Sequence, residues 1–198
     1  INLDDMSQEY FDVLREIGNI GTGNATTALS QMLNCKVDMN VPQVKLLEFS
    51  HAGELMGGEE LIMAGIYLGV QGDIKGSILF LLEKESAQKL VERLLGTPSS
   101  GDELSEMEQS ALKEIGNIIT ASYLNSLSTL TNLVIYPSVP ALSVDMAGAI
   151  LSVPAIVFGT IADKLLLIQT QFFDGLNGYF ILAPDLDSYD KILSSLGM

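Results

Sequence analysis

Residues 15–20 have the sequence REIGNI, and residues 113–118 have the sequence KEIGNI, 98 positions further along the chain. Identical residues continue on both sides at the same offset: Ser7 and Ser105, Leu14 and Leu112, Thr22 and Thr120, Asn34 and Asn132, Pro42 and Pro140. A fixed period of this kind indicates an internal duplication. We therefore predict a single domain over residues 1–198, built from two related repeats at about 1–98 and 99–198.

Each half is predicted to contain a long helix, then strands, then a short helix. Ser105 and Glu108 match a capping box at the start of the second long helix, and Ser7 is the corresponding cap of the first. The predicted strands are 37–49, 61–71, 74–82, 132–144, 165–173 and 179–182, and the predicted short helices are 85–95 and 186–196. Segment 145–160 fits a helix or a strand, and the turn-rich segment 97–102 is the predicted connector between the halves.

These elements predict an α/β fold of two pseudo-symmetric α-β-β-β-α repeats. The repeats are expected to share one mostly antiparallel sheet of about six strands, with the two long helices close together on an outer surface. The duplication makes a monomer self-sufficient, and this is the oligomeric state that we expect.

The composition excludes several classes of protein. The 198 residues are 47% hydrophobic and 18% charged, which is typical of a folded chain. Ten Lys and Arg against 25 Asp and Glu give a net charge of −15, and this charge repels nucleic acid and anionic lipid. Acidic residues occupy the place of a secretory signal, and every long uncharged stretch is too polar or too broken to span a bilayer. We expect a cytoplasmic protein without nucleic-acid binding or membrane insertion.

One cysteine, Cys35, and one histidine, His51, limit the chemistry that the chain can perform. They exclude an internal disulfide, a cysteine-based metal cluster and a site with several histidine ligands. We interpret Cys35 as a small packing residue at the end of the first helix and His51 as a residue of a surface loop.

A polar stripe runs along each long helix, opposite its apolar face, when residues are placed about 100° apart. Its members are Asp12, Glu16 and Asn19 in the first helix and Ser110, Glu114 and Asn117 in the second. Asn is unfavourable inside a helix because its side chain competes for backbone hydrogen bonds. The preceding Gly18 and Gly116 each cost about 1 kcal/mol relative to alanine, which indicates a close approach by another helix or a partner. On spacing alone, a solvated face and a functional stripe both stay open.

The pattern Asp/Ser-x3-Glu-x2-Asn-x22-Pro, completed by Pro42 and Pro140, resembles the signature of the CheC/CheX/FliY phosphatases of bacterial chemotaxis. The resemblance covers essentially the whole chain. Two intact copies of the motif are typical of the CheC type, whereas the CheX type keeps one.

The resemblance implies a phosphatase that hydrolyses the aspartyl phosphate of the response regulator CheY at two sites. Asn19 or Asn117 would hold the attacking water, since a carboxamide both donates and accepts hydrogen bonds. Glu16 or Glu114 would pair with a basic residue beside the phosphorylated aspartate. No metal or cofactor of its own is implied, because the regulator would supply Mg²⁺. Asp12, Ser110, Pro42 and Pro140 would support the motif, and we expect the two prolines to set strand starts.

Asp145 follows the second motif where the two repeats diverge. The resemblance implies that this region docks CheD, the receptor deamidase, although an ordinary strand end is the alternative. A competing function is that of a non-catalytic protein, either a CheD-binding adaptor or a flagellar-switch component that docks CheY. Retention of Glu and Asn together in both halves favours the phosphatase.

Overall fold

Two long helices of equal length repeat within the chain. The computed structural model describes residues 8–99, 101–158, 164–172 and 175–197. Helices α1 (Gln8–Leu33) and α4 (Glu106–Thr131) have 26 residues each, and their starts and ends are 98 positions apart. The next residues, Asn34 and Asn132, have left-handed backbones with φ of 49° and 57°. Asn tolerates this conformation better than most residues, so the duplicated sequence carries the same helix stop twice.

The predicted capping box at the start of α4 is confirmed. The Ser105 hydroxyl accepts a hydrogen bond of 3.3 Å from the Glu108 amide, and the Glu108 carboxylate accepts one of 2.6 Å from the Ser105 amide. These two bonds satisfy backbone donors that an uncapped helix would leave exposed. The corresponding cap predicted for α1, Ser7, lies outside the described residues.

One antiparallel sheet contains all seven strands of the described residues. In chain order they are β1 (Met39–Glu48), β2 (Ile62–Gly72), β3 (Gly76–Glu83), β4 (Ile135–Pro137), β5 (Ala141–Met146), β6 (Lys164–Phe172) and β7 (Leu176–Pro184). The strand order is β1-β6-β7-β3-β2, and β4 and β5 both pair with β2 at the far edge. The predicted α/β class is confirmed, with one strand more than expected because segment 138–140 divides the predicted strand 132–144.

The two halves exchange their first strands. Strand β1 of the first half pairs with β6 of the second, while β4 and β5 of the second half pair with β2 of the first. The β2–β3 hairpin and the β6–β7 hairpin meet in the middle of the sheet, where Phe80 of β3 lies opposite Phe180 of β7. Each half therefore completes the sheet of the other.

Helices cover both faces of the sheet. The described residues contain four shorter helices: α2 (Phe49–Leu55), α3 (Lys84–Leu95), α5 (Ala147–Phe158) and α6 (Leu186–Ser195). On one face, Ile78 and Phe80 of β3 pack in a core with α1, α3, α4 and α6. On the other face, Leu79 and Leu81 pack with α2 and α5. Burial of both faces explains why β3 is a continuous apolar run. Helices α1 and α4 pack against each other in the outer layer, as predicted.

One open interpretation is settled by the structure, and two others are wrong. The ambiguous segment 145–160 contains helix α5. His51 lies in helix α2 rather than in a loop, with its Nδ1 3.6 Å from Oε2 of Glu48. This helix has seven residues and no side-chain cap, so it leaves little local signal. Cys35 is exposed rather than packed, because the left-handed Asn34 ends α1 before the chain turns into β1.

The two motif prolines lie at matching interruptions of the edge strands. Pro42 is inside β1, where the pairing with β6 shifts between Asn40 and Gln43. Pro140 directly precedes β5, where segment 138–140 separates it from β4. Proline has no N–H to donate to a ladder, which confines it to edges and irregular positions. The predicted strand start is confirmed for Pro140 and wrong for Pro42.

Candidate active site

The close contact between α1 and α4 is made at Gly21. A Cβ atom at this position would lie 2.5 Å from Cδ1 and 3.1 Å from Cα of Tyr123. Because neither distance leaves room for a methyl group, glycine lets the helix α1 backbone rest directly on the Tyr123 ring. This contact sets how α1 is placed relative to α4, and with it the placement of the two polar stripes.

Packing of the helices leaves the motif side chains on the outside. Ile17 and Ile115, which follow the two glutamates, are 4% and 1% exposed. On the polar stripe, Glu16, Asn19 and Glu114 are exposed and Asn117 is half-buried. The predicted accessibility of the motif, with its flanking isoleucines in the core, is confirmed.

The Glu and Asn side chains of the motif are free of partners within the described part of the chain. No hydrogen bond or ion pair there engages Glu16, Asn19, Glu114 or Asn117. Since no internal bond holds them, their oxygens and the two amide groups are available to another molecule. One turn separates each Glu from its Asn, a rise of about 4.5 Å along the helix.

The first position of the stripe differs between the two sites. Asp12 lies 3.9 Å from the Arg15 guanidinium, and both side chains are more than half exposed. An exposed pair of this kind adds little stability. At the second site, Ser110 and Lys113 take these positions, so the carboxylate is replaced by a hydroxyl. The charge at this point is therefore not shared by the two sites, whereas the Glu and Asn groups are.

The glycines before the two asparagines have different surroundings. A Cβ at Gly116 would lie 2.5 Å from Cδ1 of Ile66, so this glycine allows α4 to pack closely on strand β2. A Cβ at Gly18 would have its nearest contacts at 3.6 Å, an ordinary van der Waals distance. A close approach is therefore found at Gly116 but not at Gly18, and at Gly116 it is made by strand β2 rather than by the predicted helix or partner.

A buried chain of hydroxyl groups connects both helices to the sheet. The Tyr123 hydroxyl of α4 lies 2.8 Å from the Thr22 hydroxyl of α1 and 3.0 Å from the Thr170 hydroxyl of β6. Burial raises the pKa of Tyr123, so the phenol stays protonated and can donate as well as accept. Sequence patterns missed this group because its partners are 101 and 47 residues away.

Asp145 lies near the end of the edge strand β5 and is exposed. Its Oδ1 accepts a hydrogen bond of 2.7 Å from the backbone amide of Met146, which orients the carboxylate. The neighbouring Val144 and Met146 are 43% and 44% exposed. Because successive strand residues point to opposite faces, the carboxylate lies on one face of β5 and these two apolar side chains lie on the other, so the end of this edge strand is exposed on both faces.

Two absences within the described residues bear on the kind of site. No group of three or more His, Cys, Asp or Glu side chains within that part of the chain is placed to hold a metal ion. None of the helices described there combines the length and the apolarity needed to cross a bilayer.

Comparison with known proteins identifies the class to which this fold and duplicated motif belong. A model of the CheC-like family matches residues 11–46 and 107–144, which contain both Glu/Asn pairs. The chain is 38% identical to the CheY-P phosphatase CheC of Bacillus subtilis (strain 168) over 97% of its own length and 96% of that protein. The chain belongs to the CheC-like family.

Solved structures show the same fold. The crystal structure of Thermotoga maritima FliY superposes with a TM-score of 0.75 and 21% identity, covering 98% of each chain. A chain of the CheX–CheY–BeF3–Mg complex from Borrelia burgdorferi superposes with a TM-score of 0.54 and 18% identity, covering 86% of this chain and 96% of the other.

Proposed function

We propose that this protein is a phosphatase that hydrolyses the aspartyl phosphate of the response regulator CheY. The observation that carries the proposal is an accessible Glu and Asn pair at the same position of two equal helices, with no hydrogen-bond or ion-pair partner among the described residues. The name of the Bacillus subtilis relative, a CheY-P phosphatase, supports the same substrate. Both pairs, Glu16 with Asn19 and Glu114 with Asn117, would act.

The asparagine of each pair would position the attacking water. An acyl phosphate is already activated, so hydrolysis mainly requires a water in line with the bond that breaks. A carboxamide can accept a hydrogen bond from the water through its oxygen and donate one to a phosphoryl oxygen through its nitrogen. Asn19 and Asn117 would therefore raise the rate without forming a covalent intermediate.

The glutamate of each pair would bind and align the regulator. A carboxylate on an exposed helix face can pair with a basic side chain beside the phosphorylated aspartate, and this fixes the docking register. Mg²⁺ would enter the complex with CheY, bound by the regulator's own acidic groups. The reaction would take place in the cytoplasm, and a monomer carries both Glu/Asn pairs.

A direct test follows the decay of phosphorylated CheY with and without a catalytic amount of the protein. We expect faster decay, with several CheY molecules dephosphorylated by each molecule of protein. Binding of phosphorylated CheY without faster decay would contradict the phosphatase and support the docking-protein alternative.

We also propose that the surface around Asp145 binds the deamidase CheD. The support is the oriented, exposed carboxylate at the end of an edge strand whose adjacent residues, Val144 and Met146, are also exposed. Asp145→Lys should weaken CheD binding about tenfold or more, because it places a positive charge opposite a partner surface that would complement a carboxylate. Asp187→Lys makes the same charge change at an exposed position of α6 and is the matched control. Equal CheD affinity of both variants would refute this assignment.

A further inference from the structure

The hydroxyl chain through Tyr123 includes a threonine of α1 but not the corresponding threonine of α4. Thr22 of α1 is 6% exposed and its hydroxyl is bonded to Tyr123. Its counterpart in the repeat, Thr120 of α4, is fully buried, and its hydroxyl has no hydrogen-bond partner among the described residues. The position that corresponds to Tyr123 in the first repeat holds Ala25, which has no hydroxyl to offer. The bond therefore joins Thr22 of α1 to the Tyr123 side chain of α4, whereas the matching threonine of α4 makes no such bond within the described residues.

This bond acts close to the first Glu/Asn pair. Thr22 lies one turn beyond Asn19 on the same helix, and it is next to Gly21, which rests on the Tyr123 ring. A flat aromatic surface alone lets a helix slide or rotate by small amounts. The hydrogen bond from Tyr123 to Thr22 removes that freedom, and the bond to Thr170 anchors the phenol to strand β6.

We propose that Tyr123 is a positioning residue for the first site, where it holds α1 so that Asn19 meets the water in line with the phosphoryl group. This inference rests on the proposed phosphatase function. Tyr123 is 2% exposed, so it acts through Thr22 and not directly on water or substrate. On α4 itself Tyr123 lies about two turns beyond Asn117, and its ring stays packed on Phe180 when the hydroxyl is removed, so we expect the second site to depend on this hydroxyl much less. Two sites that have the same motif are thus supported by different means.

The test separates the two sites before changing the tyrosine. Asn117→Ala leaves the first site active, and Asn19→Ala leaves the second. Adding Tyr123→Phe should slow single-turnover hydrolysis by about tenfold in the first background, since small misplacements of reacting groups are costly, and by less than twofold in the second. Affinity for phosphorylated CheY should stay the same in both, because the glutamates are untouched.

A matched pair of threonine substitutions provides the control. Thr22→Val removes the hydroxyl that is hydrogen-bonded to Tyr123, and it should reproduce the slower hydrolysis at the first site. Thr120→Val makes the same change at the corresponding position of α4, where no bond is lost, and should leave both sites active. A general loss of stability would instead slow both sites alike, so equal slowing, or no slowing, would overturn the proposal.

Hydrogen exchange provides a readout that does not require phosphatase activity. Thr22→Val and Tyr123→Phe should increase backbone amide exchange in the part of α1 that carries Asn19 but not in the matching part of α4. If neither isolated site hydrolyses phosphorylated CheY, the proposed function fails, and the exchange experiment still decides whether Tyr123 holds α1. Unchanged exchange in α1 would refute the positioning role.

Discussion

Asn19 and Asn117 occupy the twelfth position of two helices of identical length. In an ordinary helix an internal Asn is unfavourable, and no internal hydrogen bond in the described residues compensates for either one. Each glutamate lies one turn earlier and points to solvent. We therefore assign different roles to the two side chains of each pair: the Asn amide acts on the water, and the Glu carboxylate acts on the partner protein.

The role of the glutamates can be tested separately from that of the asparagines. Glu16→Ala combined with Glu114→Ala should weaken binding of phosphorylated CheY about tenfold, equivalent to about 1.4 kcal/mol, because an interfacial ion pair is lost. A binding titration at two salt concentrations measures this, and the salt dependence should become shallower. Asp12→Ser is the control, because it gives the first site the Ser that the second site carries. Unchanged affinity in the double variant would contradict the docking role.

At the scale of elements, the contact between α1 and α4 depends on one glycine and not on its neighbour. Gly21 faces the Tyr123 ring without space for a methyl group. Gly23 is exposed, and apart from its chain neighbours and the adjoining backbone of α1, no described atom lies within 4 Å of its Cβ position. A helix-interior glycine at an open position destabilises the helix. Substitution by alanine should therefore change the stability of the protein in opposite directions at Gly23 and at Gly21.

Gly23→Ala should stabilise the protein by about 1 kcal/mol, because alanine restricts the unfolded chain and favours the helix. For a chain of this size that raises the melting temperature by roughly 2–4 °C. Gly21→Ala should lower the melting temperature, since overpacking against Tyr123 costs about 1–3 kcal/mol of stability. Thermal unfolding of both variants beside the parent protein measures the pair. A melting temperature that rises for Gly21→Ala would show that the helices do not pack as described.

At the scale of the whole molecule, the sheet joins the two halves strand by strand. The pairs β1–β6, β3–β7, β2–β4 and β2–β5 each join strands from different halves, whereas β2–β3 and β6–β7 are internal to one half. A half on its own would expose the edges of its strands and most of its apolar core. We therefore expect the two halves to fold as one unit.

Cutting the chain within segment 97–102 tests this arrangement. A protease site inserted there should be cleaved while the two fragments stay together on size-exclusion chromatography, because the inter-half strand pairs do not need the connector. Separation of the fragments under native conditions would contradict the strand exchange. Urea should then release both fragments in a single transition.

The repeat, the long helices and the accessible motif could be predicted because their signals are local. The spacing of Glu16 and Asn19, and the capping box at Ser105, each fall within one or two helical turns. Helix α2 could not be predicted, since a short uncapped helix has little periodicity. The Tyr123 hydroxyl chain could not be predicted either, because the partners of Tyr123 come from distant parts of the chain. The sequence does not predict the exchange of strands, because a duplicated sequence is compatible with side-by-side halves as well as with intertwined ones.

The most direct test of the central claim is the single-turnover decay of phosphorylated CheY at saturating protein, with Asn19→Ala and Asn117→Ala combined. We expect hydrolysis to fall about a hundredfold or more, since the carboxamide acts in the transition state, and each tenfold loss corresponds to about 1.4 kcal/mol of barrier. Each single variant should retain part of the activity, and a separate titration should find binding of phosphorylated CheY preserved. Hydrolysis at the parent rate by the double variant would contradict the claim that these asparagines position the water.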